Sequence, residues 1–176
     1  MSTTNPHVVR QMAWTVTLLL SGVAAGMFVM DCFGYYPLLA TLPDDAAIQL
    51  HQESVPLHRG LLRLAIQSSG VACLVAIVFG DKASRWLLVA SVVCLLALVV
   101  YTNYALVPLN REIATWTPDS PPEGWRTVFS QMIVRERLRT ILPSLAFVLV
   151  SLAAQKRAWR YALLVCCVSA SSAAAQ

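Results

Sequence analysis

Residues 101–140 read YTNYALVPLNREIATWTPDSPPEGWRTVFSQMIVRERLRT, and they separate two long apolar runs. The first run ends just before Asn110, and a polar segment with two tryptophans follows. An arginine-rich segment then opens the second run, with Arg135, Arg137 and Arg139. Because a lipid-exposed polar loop does not occur within hydrocarbon, we predict that this segment lies outside the bilayer, where its Asn, Trp and Arg side chains are free to line a site.

The composition of the chain indicates a membrane environment. Of its 176 residues, 57% are hydrophobic and only 12% are charged, whereas soluble domains carry about 25% charged residues. The length allows about one domain. Five cysteines show neither a CxxC motif nor a zinc-like spacing, so we interpret them as small buried side chains rather than as a disulfide framework.

Four apolar runs are each predicted to cross the bilayer as a helix, because about 20 apolar residues suffice for one crossing. They lie at about residues 12–30, 64–80, 86–107 and 140–155. The first is too long for a signal-peptide core and is predicted to be retained. We therefore predict an all-α fold, an integral membrane four-helix bundle in residues 1–160. The apolar tail 161–176 is predicted to be a partial span, an interfacial helix or a frayed end.

Two longer connections, residues 31–63 and 108–139, are predicted to meet at one end of the bundle. Within the first, Asp44 begins a helix that Pro56 is predicted to bend or restart. Basic residues of short loops mark the cytoplasmic side, and here they are Arg10, Lys82, Arg85, Lys156, Arg157 and Arg160. We predict a multi-pass protein of an inner or plasma membrane, with a cytoplasmic N-terminus and extracytoplasmic long connections.

Two histidines in the first connection are candidate chemical groups. His51 and His58 are seven positions apart, which places them on one face of a continuous helix. The favoured interpretation is structural, as interfacial histidines that bind loop backbone. A His/His/carboxylate site for iron or copper, with Glu53 or Asp31, is a less favoured alternative. Proton transfer or substrate binding without a metal is the third.

Polar residues near the span ends are the other candidates. Asp31 ends the first span and must be paired or hydrated; we predict an arginine partner, in a structural rather than a catalytic role. Asn110 is either a turn residue or a hydrogen-bonding group at the lip of the third span. Arg135 and Arg139 share a helical face and either extend to lipid headgroups or hold an anionic oxygen. Trp125 is interpreted first as an interfacial anchor.

The sequence contains no nucleotide-binding loop, HExxH, GxSxG or heme CxxCH motif, so the common soluble chemistries lack support. It also gives no support for nucleic-acid binding. Gly22 and Gly26 form a small-xxx-small pattern, which favours close approach of another helix and is a possible site for a helix-packing partner.

The order of these features resembles the DUF1772 family, also called the anthrone oxygenase family. The resemblance covers roughly residues 12–155 and consists of short motifs: Ala24-Ala25-Gly26 in the first span, Pro108-Leu109-Asn110 after the third, a tryptophan-bearing loop, and Arg139-Thr140 at the entry to the fourth. It implies a four-helix membrane protein, and some relatives oxidise anthrones to anthraquinones without an obvious cofactor. It also implies that Asn110, Trp125 and Arg139 are site residues, whereas His51 and His58 have no place in the pattern.

The resemblance leads to a functional prediction of an oxygenase that oxidises an aromatic or phenolic small molecule with dioxygen. An anthrone enolate can itself give an electron to dioxygen, so the protein would need a base, an oxyanion partner and an apolar pocket. His51 or His58 would be the base, and Arg139 and Asn110 would hold the oxyanion. Trp125, Arg135 and Asp31 would contact the substrate. The alternatives are a non-catalytic scaffold or accessory subunit, and a small transporter.

Overall fold

The computed structural model describes residues 6–79 and 82–173 and is helical almost throughout. In these residues the α-helices are α1 (Pro6–Met30), α2 (Tyr36–Thr41), α3 (Asp44–Phe79), α4 (Lys82–Tyr101), α5 (Val107–Ile113) and α6 (Trp125–Ala173). Two π-helical segments join neighbouring helices: Asp31–Tyr35 lies between α1 and α2, and Thr102–Leu106 lies between α4 and α5. No β-strand forms in the described ranges, where Thr117 and Ser120 make an isolated bridge.

These elements combine into four long rods, because each π-helical segment continues the helix before it. Over the described residues, the stretches long and apolar enough to cross a membrane are Val8–Thr41, Asp44–Phe79, Ser84–Ile113 and Trp125–Lys156. The predicted all-α, four-helix membrane bundle is therefore confirmed. The chain is a multi-pass integral membrane protein, and a lipid bilayer is its environment.

The side chains of the bundle are arranged for lipid rather than for water. Large apolar side chains point outward, among them Leu19, Phe33, Val78 and Leu152. The interior contains many small residues, including Ala24, Ala72, Ala76, Ala146 and Ala153. Hydrocarbon gives no hydrophobic driving force between helices, so association depends on close packing of such residues and on hydrogen bonds between helices.

Buried hydroxyl groups supply those hydrogen bonds. Thr17 donates to the carbonyl of Ala72 at 3.0 Å, which joins α1 to α3. Ser91 donates to the carbonyl of Ala146 at 3.1 Å, which joins α4 to α6. Each bond also gives a buried hydroxyl group a partner on a second helix, as polar groups in an apolar interior require.

The predicted small-residue face on α1 is divided between two environments. A Cβ atom added at Gly22 would lie 3.2 Å from the ring of Phe147, so this glycine permits a contact within the bundle. A Cβ atom at Gly26 would meet no atom within 4 Å. Gly22 thus serves the packing of α1 against α6 within this chain, whereas a partner helix at Gly26 stays a prediction.

The helices extend well beyond the predicted spans. Except at residues 42–43, the first long connection is helical, and α3 continues through Pro56. The predicted restart at Pro56 is therefore wrong, although proline still leaves the carbonyl of Gln52 without its helical donor. At the other end of the chain, α6 remains helical through Ala173, and residues 174–176 of the predicted tail lie outside the described residues.

The segments 42–43 and 114–124 lie together at one end of the bundle, here called the loop end. Arg126 forms an ion pair with Asp44, which joins the start of α6 to the start of α3. Gln52 donates to the carbonyls of Ile113 and Trp116, each at 2.9 Å. A buried apolar cluster lies beneath these contacts: Tyr36, Leu39, Leu106, Ile113, Phe129 and Met132.

Candidate functional site

A cavity of about 50 Å³ lies next to this cluster and receives side chains from all four rods. We call it the central cavity. Its lining includes titratable or hydrogen-bonding side chains from each rod: Asp31, Tyr36, His58, Asn110, Glu136 and Arg139. Such a concentration of polar groups inside an apolar bundle is costly, and in membrane proteins it marks a functional site.

Both π-helical segments lie at this cavity. The first contributes Asp31 and Tyr35 to the lining, and the second contributes Thr102. A π-helical turn holds an extra residue, which shifts the facing of the side chains that follow, and such turns are frequent at functional sites. The hydroxyl group of Thr102 is buried and has no hydrogen-bond partner among the described residues.

His58 and Asp31 form an acid–base pair in the cavity. The Nε2 atom of His58 lies 3.7 Å from the Oδ1 atom of Asp31. The Asp31 side chain is mostly buried, whereas the His58 side chain is 37% exposed. The prediction of an arginine partner for Asp31 is therefore wrong, because its partner is His58. An imidazole in this position can accept a proton from a molecule in the cavity.

Arg139 is the fixed cation of the cavity. Its Nη2 atom lies 2.5 Å from Oε2 of Glu136, and its guanidinium group lies 4.8 Å from the centre of the Phe28 ring. Arg139 is 7% exposed, and its Nε atom has no hydrogen-bond partner among the described residues. Because a buried donor without a partner is unfavourable, Nε–H is available to bind an oxygen atom of a ligand.

Glu136 is the most important group that the sequence interpretation omitted. It is 3% exposed and lies one helical turn before Arg139. The segment was interpreted by its arginines alone, although an acid three positions from an arginine on a helix is a recognisable pairing signal. The two charges compensate each other at the floor of the cavity.

His51 and Asn110 form a second polar pair beside the central cavity. The Nε2 atom of His51 lies 3.0 Å from Oδ1 of Asn110, and Nδ2 of Asn110 donates to the carbonyl of Leu106 at 3.0 Å. An amide oxygen accepts hydrogen bonds, so Nε2 of His51 must carry the hydrogen. Its Nδ1 atom lies 3.5 Å from the hydroxyl of Tyr35, which also contacts Ser54. His51 therefore holds Asn110 in place.

The two histidines do not share a site. His51 is 2% exposed and lines an adjoining cavity of about 140 Å³, whereas His58 lines the central cavity. Tyr35 lies between them, with its ring centre 6.5 Å from that of His51 and 5.0 Å from that of His58. Over the described part of the chain, no group of three or more His, Cys, Asp or Glu residues is placed to hold a metal ion.

Two predicted substrate contacts lie away from the central cavity. The Trp125 ring packs edge-on against Phe129, with the ring centres 5.8 Å apart, in the cluster under the loop end. Arg135 donates from Nη1 to the carbonyl of Ala105 at 2.9 Å, and so satisfies a carbonyl of the second π-helical segment. Asp31, His58, Asn110 and Arg139 are thus the predicted residues that the fold brings together.

A larger cavity of about 240 Å³ adjoins the central one, and we call it the side cavity. The two share several lining residues: Arg59, Leu62, Thr102, Val107 and Arg139. The rest of its wall is apolar at Phe28, Ile66 and Val99 and polar at Arg63, Gln67 and Asn103. Known ligand pockets begin at about 300 Å³, so the side cavity, and not the central one, approaches the size that a ring system needs.

The spacing of the cavity-lining residues on α3 is a signal that the sequence contains. Positions 51, 55, 58, 59 and 62 line one or more of the three cavities. They recur at helical spacing on one face. The predicted restart at Pro56 divided that face in two and concealed the pattern.

Comparison with known proteins identifies the family. The family model described as anthrone oxygenase matches residues 57–149, which is just over half of the chain. The matched region contains His58, Asn110, Glu136 and Arg139, and it begins after the first rod and its Asp31. No match was found among curated proteins or among solved structures. Because the match covers more than half of the chain, the chain belongs to the anthrone oxygenase family.

Proposed function

We propose that this protein is a membrane-embedded oxygenase that uses dioxygen to oxidise an anthrone-like aromatic or phenolic molecule. One observation carries the proposal: His58 with Asp31, and Arg139 with Glu136, line a single cavity at the loop end. This combination supplies a base and a fixed cation side by side. Membership of the family supports the reaction class.

His58 is the base in this proposal. It lines the central cavity and its partner Asp31 lies on the neighbouring first rod, so a substrate proton has an acceptor there. His51 is a poorer choice, because its ring contacts Asn110 and Tyr35 and does not line the central cavity. Removal of the proton from the carbon between the aromatic rings gives an electron-rich enolate.

Arg139 and Asn110 hold the enolate oxygen. Arg139 has its Nε–H free of other partners among the described residues, and Asn110 keeps one amide hydrogen beyond its bond to Leu106. Donors held in place before reaction stabilise charge that develops in the transition state. His51 and Glu136 are positioning residues, because each acts by fixing one of these donors.

The oxygen chemistry is balanced by the substrate alone. The enolate transfers an electron to dioxygen, and the resulting radical pair forms a carbon–oxygen bond to give a peroxide. The peroxide receives the proton from His58 and becomes a hydroperoxide. The hydroperoxide then loses its outer OH group and the remaining hydrogen of the same carbon as water, which leaves a new carbonyl group. A CH₂ group and O₂ become C=O and H₂O, and all four electrons come from the substrate carbon.

Oxygen uptake by purified protein in detergent tests this function, with anthrone as substrate and the protein-free autoxidation rate subtracted. We expect His58→Ala to lower the catalysed rate by roughly 100-fold or more, because a positioned general base contributes about that much. Arg139→Gln should also lower it strongly. Arg137→Gln is the matched control, because Arg137 is exposed on the other face of α6, and it should retain the rate.

Isotope labelling checks the same steps. With ¹⁸O₂, one labelled oxygen atom should appear in the anthraquinone product and the other in water. Full turnover by both His58→Ala and Arg139→Gln would overturn the assigned roles. Absence of catalysed uptake, together with a stoichiometric partner in mild detergent, would favour the accessory-subunit alternative.

A further inference from the structure

The side cavity has a charge arrangement that the proposed oxidation does not use. Arg59 and Arg63 lie one helical turn apart on α3, and both line this cavity. Both are exposed, so they lie at its mouth, whereas Arg139 is buried at its inner end. Gln67 and Asn103 add hydrogen-bonding groups from α3 and from the second π-helical segment.

No acid compensates these arginines within the cavity. Among the described residues its lining contains three arginines and neither aspartate nor glutamate. Glu136 is paired with Arg139, and Asp31 faces His58. Two like charges one turn apart on a helix repel each other, so the mouth is stabilised when an anion binds there.

The same cavity also has apolar lining residues beside the arginines. Phe28, Leu62, Ile66 and Val99 come from α1, α3 and α4. A molecule that fills it therefore has an apolar body and a negatively charged group at one end. Arginine is well suited to the charged end, because its planar fork matches a carboxylate with two parallel hydrogen bonds.

We propose that the side cavity binds an aromatic carboxylate, with the carboxylate at Arg59 and Arg63 and the ring system directed towards Arg139. The inference rests on the proposed function, because it names the class of substrate for the same site. Because Leu62, Val107 and Arg139 line both cavities, the ring system then lies at the junction with the central cavity, which His58 lines.

A phospholipid is a second source of an anionic group attached to an apolar body. Its phosphate would interact with the same arginines at the membrane interface. The aromatic acid is favoured because the apolar walls lead inward to the central cavity, through Leu62, Val107 and Thr102, which line both cavities. A lipid headgroup bound at the mouth makes no use of that connection.

Calorimetric titration of the purified protein in non-ionic detergent tests the proposal without any turnover. The probes are anthraquinone-2-carboxylate and anthraquinone-2-carboxamide, which have the same ring system and differ in charge. We expect the carboxylate to bind roughly tenfold more tightly than the carboxamide, because its hydrogen bonds to arginine are charge-assisted and therefore stronger. The double variant Arg59→Gln/Arg63→Gln should reduce the affinity ratio to near one. Arg137→Gln should keep it, and melting curves should show that both variants are folded.

The outcomes separate the inference from the oxygenase proposal. Arginine-dependent binding of the carboxylate supports the inference even where anthrone is not turned over. Equal affinity of the two probes for the unmodified protein overturns it, whether or not oxygen uptake is seen. A third arm adds phosphatidylglycerol to the detergent. If this lipid binds in an Arg59- and Arg63-dependent manner while the probe ratio is near one, the mouth is a lipid site and the inference is wrong.

Discussion

At the scale of residues, the site depends on one buried ion pair. Glu136 and Arg139 are both more than nine-tenths buried and lie one turn apart on α6. Taking charges out of water is costly, and their mutual attraction offsets that cost only when both are present. The pair therefore fixes the guanidinium group for binding, and its net contribution to stability is small compared with the effect of removing one partner.

A double-mutant cycle measures this dependence. We expect Glu136→Gln and Arg139→Gln each to lower the free energy of unfolding by about 3 kcal/mol, because each leaves an uncompensated buried charge. The double variant should be less destabilised than the sum of the single variants, since neither charge remains. Unfolding by SDS titration in mixed micelles gives these values. Strict additivity would show that the two side chains do not interact.

At the scale of elements, the four apolar runs could be predicted because hydrocarbon thickness alone sets the length of a crossing helix. The continuation of α3 through Pro56 could not. Proline in a helix interior costs about 3 kcal/mol, and local sequence does not show that packing on both sides offsets it. The π-helical segments were equally hidden, because their extra residue is stabilised by neighbouring rods. Asp31 and His58 were thus recognised singly, and their pairing was not.

Gln52 joins two of these elements and provides a test of the loop end. Its side chain donates to the carbonyls of Ile113 and Trp116, just after α5 ends, where helical donors run out. We expect Gln52→Ala to lower the free energy of unfolding by about 1–3 kcal/mol, because the carbonyl of Trp116 loses the side-chain donor and that of Ile113 keeps only the N–H of Trp116. Gln49→Ala is the matched control, since Gln49 is on the same helix and its side chain donates to Glu53 on an exposed face. SDS titration of both variants compares them, and equal stability losses would remove Gln52 from this role.

At the scale of the whole molecule, charge is distributed unevenly between the two ends of the bundle. The only two lysines of the chain, Lys82 and Lys156, lie at the end opposite the loop end, as do Arg10 and Arg85. An excess of lysine and arginine in short connections marks the cytoplasmic side. The central cavity, at the loop end, is then predicted to lie near the extracytoplasmic surface, where a substrate in the outer leaflet reaches it directly.

Cysteine labelling in intact cells decides this orientation. In a background whose five cysteines are replaced by alanine, Ser120→Cys places a thiol on the exposed loop end and Lys82→Cys places one at the opposite end. We expect a membrane-impermeant maleimide to modify residue 120 in intact cells, and residue 82 only after the membrane is permeabilised. The reverse pattern would place the loop end in the cytoplasm. In that case the lysines would not determine the orientation in the membrane. The arginines of the loop end would determine it instead, although Asp44 and Glu136 neutralise some of them.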